Sequence, residues 1–576
     1  MNQPTPAIVA QAAVRRLPRL ALLLLCFAYV LAGFLGREPW KSADMMSFGY
    51  MAELALGATD WLAPRLMGMP PEVEALLPYW LGAWAMQLAP TWMEPDFAVR
   101  IPFGLLMTLT LFATWYGTFD LARNPHAQPV AFAFGGEALP PDYARAMADG
   151  GLLAFLACLG LAQLSHETTP ALAQLCFTAL TFYAIAALPY RKRAPMAAAV
   201  LGLTGLALSG APSMAILFGA GSALIHLLDR SPEPDKIVRK GMWAAGIALL
   251  TLLVALLCFW LDLWRWRIDL PEAKLKEWRG LGRLLLWFTW PAWPLALWTL
   301  WRWRHQLMQG LMPSRHLALP LWFASVAIGA TLTTASADRS LLLALPALAA
   351  LAAFSLPTLE RSVSALIDWF TLIFFSGCGI IIWVIWISLQ TGVPKQPAAN
   401  VARLAPGFEH SFSLTPFLIA VGATLAWAWL VKWRVGRHRA AIWKSLVLPA
   451  GGTVLCWLLL MTLWLPMLDF ARGYTTLVQR AMTVMQQPSC AHAHGLNRSQ
   501  IAAFQFHGPV RVKPVDSHVK CAWLIIDKEA IKDIPITFDL TPWTLRSTLR
   551  HPADRNENLL LYQRISSAKL PDTTGR

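Results

Sequence analysis

Charge is scarce in this chain. Only 14% of its 576 residues are Asp, Glu, Lys or Arg, where a soluble domain carries about 25%. With 56% hydrophobic residues, that deficit excludes an ordinary water-soluble protein and requires many membrane spans rather than one. No CxxC or HxxxH spacing occurs, so no preassembled zinc site is legible. No nucleotide-binding fingerprint appears. No period of about 20–50 residues marks a solenoid.

Trp is abundant, with 29 residues. Many flank apolar runs, as in Trp264-Arg265-Trp266-Arg267 and Trp301-Arg302-Trp303-Arg304, where an indole suits the headgroup level. The net charge of +15 does not point to nucleic acid. The basic residues lie in short clusters between apolar runs, the pattern of cytoplasmic loops. Of the eight cysteines, Cys26, Cys158, Cys176, Cys258, Cys378 and Cys456 sit singly within apolar runs as small core hydrophobes. Cys490 and Cys521 lie in the polar C-terminal region, where an oxidising compartment would let them pair.

Arg15, Arg16 and Arg19 precede the apolar run Leu20 to Gly36, which reads as a retained first span with a cytoplasmic N-terminus. Further runs follow between Ile101 and Pro466, including Gly150 to Leu164 and Leu284 to Trp301. Together they predict an α-helical polytopic protein of about 13 spans. Alternate threading places Arg191-Lys192-Arg193, Arg302, Arg304, Arg315 and the cluster Lys432 to Lys444 in the cytoplasm, and the C-terminus outside it. The expected division is a transmembrane unit, 1–466, and a periplasmic C-terminal α/β domain, 467–576. Cys521 to Ile526 and Asn558 to Tyr562 read as short strands in the latter. In the first outer loop, 37–100, Met45, Phe48, Met51, Ala52 and Leu54 recur near helical spacing. They predict a helix lying on the membrane surface. Asn124 to Pro141 reads as a loop insertion without chemistry.

Asp44 stands just beyond the first span. An acid where a helix meets the outer water needs a reason: it either caps the following helix or takes part in chemistry. A carboxylate there can act as a general base or stabilise a developing positive charge. Glu167, in the outer turn Ser165-His166-Glu167-Thr168-Thr169-Pro170, is a second candidate acid, or merely part of a helix start. His166 and Glu167 form only a partial metal set, which leaves a divalent metal open. Arg65, Arg265, Arg267, Lys274 and Arg339 are candidate contacts for a phosphate group at the outer interface. Arg is favoured for its planar, bidentate fork. The basic residues from Trp264 to Arg283 suit a headgroup-binding surface better than a specific donor site.

Asp44, Asp60-Trp61, Pro64-Arg65-Leu66, Gly68-Met69-Pro70, Tyr79-Trp80 and Phe97-Ala98-Val99-Arg100-Ile101-Pro102 follow one another as in the polyprenyl-phosphate-dependent glycosyltransferases. The chain resembles the aminoarabinose transferase and protein O-mannosyltransferase group of that family. The resemblance implies a GT-C fold, a sugar donor carried on a polyprenyl phosphate and a site at the periplasmic face of the bacterial inner membrane. It implies that Asp44 is the catalytic carboxylate, with Glu167 as the second acid. Tyr79 and His166 are then candidates for the substrate pocket. The implied acceptor is a glycolipid such as lipid A, a glycan or a protein. Membrane lipids are the other partners. Departures from the family pattern are Met45 after Asp44, Val73-Glu74-Ala75-Leu76 in place of a Glu-Lys-Pro-Pro stretch, and Gly210-Ala211-Pro212 in place of a Lys-Gly-Pro turn. Two lysines are thereby absent. A catalytically degenerate scaffold and a lipid-linked-sugar transporter are the alternatives.

Overall fold

The structure is a computed structural model that describes residues 5–228, 237–264, 274–308, 314–334, 337–435, 441–508, 510–515, 521–533, 539–554 and 556–565. Six of its helices are long and apolar enough to cross a bilayer: Pro95–Ala122, Pro170–Ala187, Gly241–Trp260, Arg361–Thr391, Leu414–Arg434 and Ile442–Leu463. Four shorter apolar helices, among them α1 (Arg19–Phe34), accompany them. Their burial orders the bundle. The most apolar stretch of Pro170–Ala187 is 89% buried, whereas that of Leu414–Arg434 is 11% buried. The first helix is therefore central and the second peripheral, presenting Leu418, Leu425 and Trp429 outward as a lipid-facing surface would.

Two of the predicted spans are not single helices. The helix Pro140–Ala157 stops at Cys158, and Leu275–Phe288 stops before Pro291. The two interruptions meet. Leu159 N–H donates to Trp290 O (3.1 Å) and Gly160 N–H to Phe288 O (2.9 Å). Each break thus satisfies backbone groups that a continuous helix would have paired internally. A Cβ on Gly160 would stand 2.2 Å from the Phe288 ring, so this crossing needs glycine.

The loop after α1 carries α2 (Ala43–Ala55) and α3 (Leu77–Leu88), and leads into α4 (Pro95–Ala122). The helix expected on the membrane surface is α2, and it is instead enclosed. Every residue from Ala43 to Met51 is buried, as is Leu54. Its sequence explains this: Met45, Met46, Phe48, Gly49 and Met51 surround the helix, and a helix that is apolar all round belongs in a core. Gly49 permits the covering contact, since a Cβ there would lie 2.5 Å from Ala502 Cβ.

Ala502 belongs to the C-terminal unit. After the last span the helices Leu465–Arg472 and Thr475–Met485 lead into a five-stranded sheet. Its strands are β1 (Cys490–His494), β2 (Arg511–Pro514), β3 (Trp523–Asp527), β4 (Trp543–Arg550) and β5 (Asn558–Arg564), in the order β2-β1-β3-β5-β4. β1 pairs parallel with β2 and β3. The β3–β5 and β4–β5 pairs are antiparallel. The crossover from β1 to β2 is the helix Arg498–His507, opened by an Asn497–Gln500 capping box that satisfies its first amides. This helix covers α2. Cys490 and Cys521 are bridged, with Cα atoms 5.6 Å apart.

Candidate active site

The chain leaves α1 through Gly36, whose φ of 71° suits a residue without Cβ. The next residue, Arg37, is thereby turned inward and is 2% exposed. Its Nη2 donates to Asp44 Oδ2 at 2.5 Å and its Nη1 to His166 O at 3.1 Å. Asp44 sits in the first turn of α2 but does not cap it. Its Oδ2 also accepts from Trp40 N (3.3 Å), and its Oδ1 accepts from both Thr168 N (2.8 Å) and Thr168 Oγ1 (2.7 Å). Burial pushes this carboxyl upward. Arg37, Arg100 and the Thr168 hydrogen bonds more than offset that and hold it below its usual range. It is a fixed anion whose lone-pair sites are all engaged.

Residues 166 and 168 are thus tied to residues 37 and 44, which brings Glu167 to the same place. The whole turn Ser165 to Thr169 is buried, five polar residues in a row just before the central helix Pro170–Ala187. Glu167 Oε2 accepts from Arg339 Nη2 at 3.1 Å and Oε1 from Gln163 Nε2 at 3.2 Å. Burial and the neighbouring Asp44 charge raise its carboxyl above the ordinary value, against Arg339 and Arg37. Two buried acids therefore share one cluster with opposite proton affinities, an arrangement that separates acid from base roles. Arg339 is partly exposed, and its buried Nε has no hydrogen-bond partner.

The C-terminal unit closes the cluster. Trp40 Nε1 donates to Asp469 Oδ1 (2.7 Å), and the guanidiniums of Arg37 (4.1 Å to the centroid) and Arg472 (5.1 Å) both pack against the Trp40 ring. Lys41 N donates to Arg472 O (2.8 Å), and Lys41 Nζ pairs with Asp554 (2.6 Å) and Glu557 (3.6 Å). Burial pushes the Asp469 carboxyl up to about 7, against the Trp40 hydrogen bond. Arg100, near the N-terminal end of α4, is 5% exposed and pairs with Asp96 at 3.6 Å.

The structure brings Asp44, Glu167 and Arg339 together. It gives other surroundings to the remaining candidates. His166 is enclosed: its Nδ1 meets Ala162 O (2.5 Å) and its Nε2 meets Tyr29 O (2.9 Å). Its ring fills the space beside Gly33, where a Cβ would lie 2.1 Å away. Burial lowers its pKa to about 4, so it packs as a neutral ring rather than lining a pocket. Tyr79 is likewise buried, its hydroxyl donating to Val73 O (3.1 Å). Arg65 donates to Gly68 O (3.0 Å) within its own exposed loop. Lys274 stands exposed before the helix Leu275–Phe288. Arg265 and Arg267 lie outside the described residues. Among the described residues no group of three or more His, Cys, Asp or Glu is placed to hold a metal.

Arg37, Trp40, Thr168, Asp469 and Arg472 were not singled out as site residues by sequence. Arg37 alone carries a local signal, a cation one residue past the end of a span. Asp469 and Arg472 meet a loop more than 400 residues earlier in the chain, which no periodicity encodes.

No protein-family model matches the chain, and no curated protein does. Two solved structures share its fold. ArnT from Cupriavidus metallidurans bound to undecaprenyl phosphate aligns with a TM-score of 0.60 at 11% identity, over 96% of this chain and 99% of that one. The apo form of the same protein aligns with a TM-score of 0.56 at 12% identity, over 96% and 98%. At such identities the likeness is one of fold, and it extends from the membrane bundle through the C-terminal sheet. The chain accordingly has an ArnT-like fold, and among its described residues six helices are long and apolar enough to cross a membrane.

Proposed function

We propose that this protein is an inner-membrane glycosyltransferase that moves a sugar from a polyprenyl-phosphate donor to an acceptor at the periplasmic face. The observation that carries this reading is the buried pair Asp44 and Glu167, set among arginines with their proton affinities pushed apart. The fold likeness to a protein seen with undecaprenyl phosphate supports a lipid-phosphate donor. The distribution of basic clusters supports a cytoplasmic N-terminus, an outer C-terminus and the division at 466/467.

In this reading the acceptor oxygen attacks the anomeric carbon and forms the new glycosidic bond. The bond from that carbon to the phosphate oxygen breaks, and the lipid phosphate leaves with the electron pair. The acceptor's proton passes to Glu167, whose raised affinity suits a base. Asp44 stays ionised, orients the turn through Thr168 and stabilises positive charge developing on the sugar. Arg339 neutralises the departing phosphate.

Mass spectrometry of lipid A, glycans and envelope proteins tests the proposal. A deletion strain would carry wild type, Asp44→Asn or Glu167→Gln at equal expression. A sugar present with wild type and reduced about 100-fold or more in Glu167→Gln, the scale of a lost general base, supports the assignment and identifies sugar and acceptor. A degenerate scaffold is the second reading, favoured by the complete hydrogen-bond saturation of Asp44. It predicts identical spectra for all strains when the donor lipid is present.

A further inference from the structure

Arginines gather around the two acids, and most of their donors are committed. Arg37 is buried and divides its terminal nitrogens between Asp44 and the His166 carbonyl. Arg100 is buried against Asp96. Arg339 gives one nitrogen to Glu167. Arg472 differs. It is exposed, and among the described residues no carboxylate lies within ion-pair distance of it. It is nevertheless held in place. Its guanidinium lies 5.1 Å from the centre of the Trp40 ring, and its carbonyl accepts from Lys41 N at 2.8 Å. Trp40 is itself pinned by Asp469, and the Arg37 guanidinium also packs against its ring. Glu167 is within electrostatic reach.

A guanidinium fixed on an aromatic platform with its donors free is prepared for a planar, bidentate anion contact. Among the described residues no carboxylate stands at ion-pair distance to serve as the fixed partner. The unused Nε of Arg339 near the same acid supplies a second donor for such an anion. A phosphate ester matches both. The ordinary alternative is a solvated cation that complements the carbonyl end of its own helix.

We propose that Arg472, on the helix joining the last span to the C-terminal sheet, contacts the donor phosphate, so that the C-terminal unit contributes directly to the site. The proposal rests on the polyprenyl-phosphate reading above. It places one half of the phosphate contact on Arg339 and the other on Arg472, more than 130 residues apart in sequence.

Full-length protein in nanodiscs of phosphatidylcholine provides the test. Binding of undecaprenyl phosphate, of undecaprenol and of added phosphatidylglycerol would be measured for wild type, Arg472→Ala, Arg472→Lys and Arg339→Ala. Thermal unfolding of each variant checks that the fold is retained. The expected result is a loss of undecaprenyl phosphate affinity in Arg472→Ala of about 10- to 100-fold, the scale of one hydrogen bond to a charged group. Partial recovery is expected in Arg472→Lys, with undecaprenol binding unchanged. Wild-type affinity in Arg472→Ala alongside a loss in Arg339→Ala overturns the role of Arg472 and leaves the donor reading standing. An equal loss of phosphatidylglycerol binding assigns Arg472 to general headgroup contact and also overturns the proposal. Failure of wild type to bind undecaprenyl phosphate rejects the donor reading and this inference together.

Discussion

Asp44 shows how far a residue can be read in isolation. Its position past the first span marks it as an acid that needs a reason, and its partners supply one that sequence does not show. A carboxylate accepting from Arg37, Trp40 and twice from Thr168 is a structural keystone whatever else it does. Removing one partner of a buried ion pair costs about 3–5 kcal/mol, because the other charge is left unpaired. Asp44→Leu is therefore expected to destabilise strongly, and Arg37→Met equally. The double variant Arg37→Met/Asp44→Leu should lose much less than the sum of the two. Thermal unfolding in detergent checks this; additive losses would mean that the two side chains do not interact. Asp469 gives a pH signature. Its carboxyl is raised from about 3.9 to about 7 in the folded protein, so ionising it costs more folded than unfolded. Its contribution to stability is highest below the unfolded value and declines as pH rises towards 7. Asp469→Asn keeps an oxygen for the Trp40 indole and removes that decline. A melting-temperature series from pH 5 to 8 should be flatter for the variant, and parallel curves would refute the assignment.

Elements were legible where one periodicity decides them. The alternation of apolar runs with basic clusters identifies a membrane bundle, and β3 and β5 fall within two residues of the strands expected at Cys521 and Asn558. Legibility fails where an element's neighbour comes from elsewhere in the chain. In α2 the spacing of Met45, Phe48, Met51 and Leu54 is right for a helix. The further apolar residues Met46 and Gly49 are the sign that it needs cover on every side. The cover, the helix Arg498–His507, lies about 450 residues later, so a surface helix was the natural expectation. The runs Gly150 to Leu164 and Leu284 to Trp301 pose the same problem. Each is apolar enough for a span, and the reason each breaks is the other's exposed backbone.

At the scale of the molecule, the candidate site is assembled from four distant stretches: residues 37–44, the turn 165–169, Arg339 and the segment 469–475. The last closes the first from outside, through Trp40 on Asp469, Glu38 Oε2 accepting from Thr475 Oγ1 (2.6 Å), and Lys41 on Asp554. The packing of α2 against Ala502 adds an apolar seam whose closeness depends on Gly49. A structure joined this way opens as a unit, because exposing α2 to water uncovers apolar residues on several faces at once. Amides of α2 and of the helix Arg498–His507 are therefore expected to exchange hydrogen with one common opening free energy. Gly49→Val places methyl groups where Ala502 Cβ already stands, so the seam must part, and overpacking of this kind costs about 1–3 kcal/mol. Hydrogen exchange followed by mass spectrometry should then show faster exchange in both helices together, while the central helix Pro170–Ala187 is unchanged. Acceleration confined to α2 would mean that the C-terminal unit holds its shape independently. The loop after α1 alone would then keep Asp44 in position.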